Sequence, residues 1–85
     1  MTSFDARLRV LGQTGLPLGV EVDLTGERMI LTSGGKRLAD WYLEEIHIFP
    51  TASGYRIDAE GEEVILNVTD RERFAVEIGP RLEVL

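Results

Sequence analysis

Residues 64–78 read Val-Ile-Leu-Asn-Val-Thr-Asp-Arg-Glu-Arg-Phe-Ala-Val-Glu-Ile, and within this stretch the spacing of apolar residues changes. Val64, Leu66 and Val68 are two residues apart, so they share one face of a strand. Phe74 and Ile78 are four apart, so they share one face of a helix. The stretch therefore predicts a strand that leads directly into an amphipathic helix.

The boundary between these two elements has a capping signal. Thr69-Asp70-Arg71-Glu72 matches a capping box, in which the Thr69 hydroxyl accepts from the backbone N–H of Glu72 and the Glu72 carboxylate reaches back. At the other end, Gly79-Pro80 is expected to stop or sharply bend the helix.

The preceding residues, 6–68, contain about seven short strand-like segments separated by turns. Gly34-Gly35 and Gly61 lie in two of these turns, and the Gly- and Pro-containing residues 12–19 form a longer loop. Strands followed by one terminal helix predict a mainly β protein. We expect a small antiparallel barrel or roll of about seven strands, capped by one C-terminal helix.

Pairing of the first two strands would bring opposite charges together. Arg7 and Arg9 face outward on the first strand, and Glu21 and Asp23 face outward on the second. We expect these side chains to lie opposite one another across the pair.

Composition limits the class of protein. Eighty-five residues make one domain, and 44% hydrophobic with 28% charged residues is typical of a globular chain. Absence of cysteine and of a signal-peptide pattern favours the cytoplasm. We assign residues 1–81 to the domain. Residues 82–85, Leu-Glu-Val-Leu, match the start of a widely used tag-removal site, Leu-Glu-Val-Leu-Phe-Gln, and are interpreted as an expression-tag remnant.

The net charge of −6 disfavours nucleic acids and anionic membranes as partners, because phosphate binding requires a basic face.

The sequence contains no pattern that indicates catalysis. His47 is the only histidine and lacks a catalytic pattern around it, while Asp58, Glu60 and the neighbouring acids lack the spacing of a calcium loop. We expect no enzyme activity, cofactor or metal.

The segment Trp41-Tyr42 is the best candidate for a binding surface. Alternation places the two rings on opposite faces of a strand, so one ring is expected in the core. The other is either exposed at the surface or packed under the terminal helix or a loop. Exposed tyrosine and tryptophan are common anchors in protein interfaces.

The chain resembles the pleckstrin-homology-like (PH-like) domains. Residues 64–68 followed by residues 69–74 look like the last strand and helix of that family, and residues 38–41 with 46–48 are similar to segments of small actinobacterial members. The resemblance implies a bacterial protein and a barrel of two near-orthogonal sheets that the helix plugs. It also implies peptide or protein binding near that helix. Residues 12–19 lack the basic side chains of the phosphoinositide-binding members, so binding of that lipid is disfavoured.

The sequence thus predicts a protein-interaction or scaffold module of a larger protein. A partner segment would dock on the helix–sheet groove or on a strand edge, and a weak homo-oligomer is also compatible with the sequence. The candidate contacts are Trp41, Tyr42, Tyr55 and Phe74. The alternative function is a barrel that binds a small ligand or an anion.

Overall fold

The structure is a computed structural model that describes residues 2–10 and 16–82. Its helix, α1, spans Arg71–Ile78, and short 3₁₀ turns span Leu43–Glu45 and Gly79–Arg81. The strands are β1 (Thr2–Val10), β2 (Leu18–Leu24), β3 (Arg28–Ser33), β4 (Lys36–Tyr42), β5 (His47–Thr51), β6 (Gly54–Ala59) and β7 (Glu62–Val68).

All seven strands belong to one antiparallel sheet, in the order β4-β3-β2-β1-β7-β6-β5. The sheet curls into a half-barrel with β1 at its centre and α1 packed against it, which confirms the predicted fold class. β4 and β5 are consecutive in the chain but lie at opposite edges of the sheet, joined by the 3₁₀ turn Leu43–Glu45. No helix within the described ranges is long and apolar enough to cross a membrane.

Alternation along the strands builds the core. Nine alternate residues of β2, β6 and β7 are buried, as the sequence predicts: Val20, Val22, Leu24, Tyr55, Ile57, Ala59, Val64, Leu66 and Val68. α1 contributes Phe74 and Ile78, which are 0% and 1% exposed. The Phe74 ring meets the edge of Phe4 at 5.1 Å and the tilted ring of Tyr55 at 5.2 Å between centroids. These aromatic contacts fix the helix over β1 and β6.

The register of β1 against β2 differs from the prediction. β1 begins at Thr2, four residues before the predicted start, and Asp5 rather than Arg9 lies opposite Glu21. Arg7 lies opposite Gly19. Alternation determines which face a residue occupies, but a slip of two residues leaves every face unchanged, so the pattern did not determine the register.

The helix cap is also displaced by one residue. The Asp70 side chain, not Thr69, accepts from a backbone N–H, that of Arg73 at 3.2 Å. The Thr69 N–H donates to the Asp5 carbonyl at 2.9 Å and so continues the pairing of β7 with β1. Thr69 is therefore still part of the sheet when the helix begins. At the far end, Gly79-Pro80 changes the helix into a 3₁₀ turn.

The predicted tag remnant lies mostly outside the described residues. Leu82 is described, packs against the core and forms an isolated parallel bridge with Ile48. Residues 83–85 lie outside the described part, as do residues 12–15 of the predicted loop at 12–19. The end of that predicted loop, Leu18 and Gly19, belongs to β2.

Candidate functional site

The two edges of the sheet differ in how they are covered. β5 forms one edge, and Leu82 bridges to its Ile48. β4 forms the other edge, and within residues 2–10 and 16–82 it pairs with β3 alone. The outward-pointing backbone N–H and C=O groups of β4 can therefore pair with another chain.

Apolar and aromatic side chains are exposed along β4. Leu38 is 43% and Tyr42 is 45% exposed. A register shift in the β3–β4 pair leaves Leu38 without a directly opposed residue, as in a β-bulge. Ala39 and Trp41 pack against the core. Leu38 and Tyr42 are thus the side chains of this edge that a docked segment would cover most fully.

An ionic cluster orients the surface beside this edge. Nη2 of Arg28 lies 2.8 Å from Oδ2 of Asp40, and Nη1 of Arg37 lies 3.4 Å from the same oxygen. The guanidinium carbon of Arg28 is 5.0 Å from the centre of the Tyr42 ring. In the described part of the chain, the buried Oδ1 of Asp40 has no hydrogen-bond donor. The cluster restrains Tyr42 and leaves one carboxylate oxygen able to accept.

The four predicted contact residues separate into two groups. Trp41 and Tyr42 lie on β4, with Trp41 half-buried against the core and Tyr42 exposed. Tyr55 and Phe74 are 2% and 0% exposed and pack against each other inside the domain. A partner resting on the surface would touch Tyr42 but would not reach Tyr55 or Phe74. Phe74 and Tyr55 instead hold α1 on the sheet.

Arginine contacts close much of the helix–sheet groove. Nη2 of Arg71 donates to the Thr51 carbonyl at 2.6 Å, and Nη2 of Arg73 donates to the Ser3 carbonyl at 2.8 Å. Both bonds tie α1 to strand backbone. A depression of about 160 Å³ is lined by Glu27, Tyr42, Glu44 and Arg81. It adjoins the end of β4 at Tyr42 and the 3₁₀ turn that follows α1 at Arg81.

A second surface, on the outer face of β1, carries two exposed arginines. Arg7 and Arg9 form no ion pair with any of the described residues, because the register moves Glu21 and Asp23 away from them. With Pro17, Ser53, Ile65 and Asn67 they line a depression of about 170 Å³. Guanidinium, amide and hydroxyl groups are hydrogen-bond donors suited to an anion.

The largest depression described, about 730 Å³, lies across β1, β2 and the β3–β4 turn. It has carboxylates of like charge, since Asp5 stands directly opposite Glu21. Arg7, Thr32 and Ser33 also line it. This mixture does not converge on one ligand chemistry.

His47 is exposed and lies opposite Asp58 in the β5–β6 pair. These two residues line a shallow depression of about 350 Å³ together with four acidic residues, Glu45, Glu60, Glu62 and Glu63. Among the residues described, no three His, Cys, Asp or Glu side chains converge to hold a metal ion.

The chain matches no protein-family model, and neither the curated proteins nor the solved structures contain a significant match to it. The PH-like resemblance therefore stays a prediction.

Proposed function

We propose that the chain is a non-catalytic protein-interaction module that binds an extended segment of a partner protein along β4. The observation that carries the proposal is the outer side of β4, which pairs with no other strand of the described residues and where Leu38 and Tyr42 are exposed. Added strands of this kind gain affinity from main-chain hydrogen bonds and specificity from alternate side chains. The bound segment would extend the sheet by one strand.

The element order supports a PH-like scaffold for this function. Seven antiparallel strands precede α1, and β4 and β5 flank the opening of the half-barrel. The absence of cysteine fits a cytoplasmic setting for such a module. The PH-like scaffold, the cytoplasmic setting and the bacterial origin that the resemblance implies are parts of this proposal.

Selection from a random twelve-residue peptide library on the immobilised domain tests the proposal. We expect enriched peptides of alternating apolar residues, whose binding protects backbone amides of β4 from hydrogen exchange. The Leu38→Lys variant should bind these peptides at least about fivefold more weakly, because it places a charge where apolar surface would be buried. Leu38 is 43% exposed and lies outside the hydrophobic core, so the variant should keep the fold.

Val76→Lys is the matched control, because Val76 is 79% exposed on α1 and lies on a different element from β4. It should bind the selected peptides like the unmodified chain. Peptides that bind Leu38→Lys undiminished, or that protect amides only outside β4, would overturn the proposal.

Anion binding is the second candidate function. It is favoured by Arg7 and Arg9, which form no ion pair within the described part of the chain. The site would lie on the outer face, since the interior is filled by apolar side chains such as Phe74, Met29 and Leu31. Titration with inorganic phosphate and with citrate should produce saturable NMR shifts at Asn67. These shifts should disappear in Arg7→Gln/Arg9→Gln and persist in Lys36→Gln. Non-saturable shifts, or shifts unchanged by the double variant, would exclude this function.

A further inference from the structure

The charges at the two ends of β4 are of opposite sign. Lys36 and Arg37 are exposed at its start, beside the β3–β4 turn. Glu44 and Glu45 are exposed in the 3₁₀ turn that follows its end. Between these ends, Leu38, Ala39 and Trp41 are uncharged and Asp40 is held by two arginines.

Such an edge is complementary to itself when two copies run antiparallel. The basic start of one strand then lies beside the acidic end of the other, twice over, about a two-fold axis. Parallel pairing would instead place Lys36 and Arg37 beside their own copies, which is unfavourable. From this charge complementarity we infer that β4 pairs with β4 of a second copy of this chain. The inference rests on the proposed function and names its partner.

The register that pairs all seven residues of β4 is centred on Ala39. It places Lys36 opposite Tyr42 of the second copy and Leu38 opposite its Asp40. Other registers are less favourable: one centred on Asp40 would bring two carboxylates face to face. In the Ala39 register, Glu44 of the second copy lies two residues beyond Tyr42, roughly 4–7 Å along the chain, which a lysine side chain can span.

The expected dimer is weak. An edge-to-edge contact of one strand covers far less than the roughly 1,200–2,000 Å² buried in a stable interface. Its end-to-end ion pairs are exposed and therefore sensitive to salt. We expect a dimer that forms at high protein concentration and dissociates as salt is added.

Sedimentation equilibrium from 10 µM to 1 mM tests the inference with a charge exchange. Lys36→Glu/Arg37→Glu makes both ends of the edge acidic, and Glu44→Lys/Glu45→Lys makes both ends basic. Each double variant should be monomeric over this range, whereas their equimolar mixture should form a heterodimer. Circular dichroism and Trp41 fluorescence check that both variants are folded.

The unmodified chain should dimerise over the same range, and 500 mM NaCl should weaken the dimer at least about threefold relative to 25 mM. A chain that stays monomeric at 1 mM, double variants that dimerise normally, or a mixture that fails to associate would each overturn the inference. The peptide selection distinguishes the two ideas. If peptide binding depends on Leu38 but the chain remains monomeric, the proposed function stands. Only the second copy is then excluded as the partner.

Discussion

Replacing Gly54 with alanine tests how closely β6 must approach β7. A Cβ atom at this position would lie 2.4 Å from the Leu66 carbonyl oxygen and 3.0 Å from Cα of Asn67. Ordinary contact begins at 3.4 Å, so the backbones would have to separate by 3.4 − 2.4, or 1.0 Å. Because the obstructing atoms are backbone, rotation of a side chain cannot relieve the clash. We expect a loss of about 1–3 kcal/mol in the free energy of unfolding, as for an overpacked core.

Urea unfolding at 25 °C, followed by Trp41 fluorescence, measures this loss. Trp41 is the single tryptophan and packs against the core, so its emission reports on the folded state. The matched control is Gly19→Ala on β2, where a Cβ would meet no atom within 4 Å. The control should be neutral or stabilising by about 0.4–1 kcal/mol. If the two variants have equal stability, the close approach of β6 to β7 does not exist.

Three further predictions test the helix and a turn by the same unfolding assay. Asp70→Ala should lower the free energy of unfolding by about 1 kcal/mol, because it removes the N-cap side chain, and Thr69→Ala should lower it by less. The opposite order would support Thr69 as the capping residue. Phe74→Ala should lower the free energy of unfolding by about 3–5 kcal/mol, and Val76→Ala should lower it by under about 0.5 kcal/mol, because of these two side chains only Phe74 is buried. Similar losses in the two variants would contradict the packing of the helix on the sheet. Glu60→Asn should gain at most about 1 kcal/mol, because Glu60 has a φ of 52° that asparagine adopts more readily; a net loss would argue against this turn geometry.

Local patterns in the sequence predict the order of the elements and most of the core residues, although not Phe4, which lies before the predicted first strand. Gly34 and Gly35, with φ of 57° and 79°, form the tight hairpin turn that the sequence predicts. Trp41 and Tyr42 lie on opposite sides of β4, as alternation requires. These features depend on residues close together in the chain, where side-chain period and turn chemistry act directly.

The features that define the candidate site depend on distant residues instead. Edge status belongs to a strand only after all the others have paired, and nothing within Lys36–Tyr42 distinguishes an edge from a central strand. The lack of an ion pair at Arg7 and Arg9 within residues 2–10 and 16–82 follows from a register that alternation leaves open by steps of two. The clustering of Arg28 with Asp40 likewise follows from the β3–β4 register, across twelve positions of sequence.

The arginine contacts also change the reason for disfavouring nucleic acid as a partner. The sequence disfavours nucleic acid through its negative net charge, but a negatively charged protein can still have a local basic patch that binds phosphate. In the described part of the chain, six of the nine cationic side chains already contact a carboxylate or a backbone carbonyl: Arg28, Arg37, Arg56, Arg71, Arg73 and Arg81. The three others are Lys36, at the β4 edge, and the neighbouring Arg7 and Arg9. Two adjacent cations would give a salt dependence of only about 1.4–1.8 in the logarithmic slope, which is too shallow for a backbone-tracking surface. A measured slope steeper than about 4 for any single-stranded or duplex probe would contradict this reasoning.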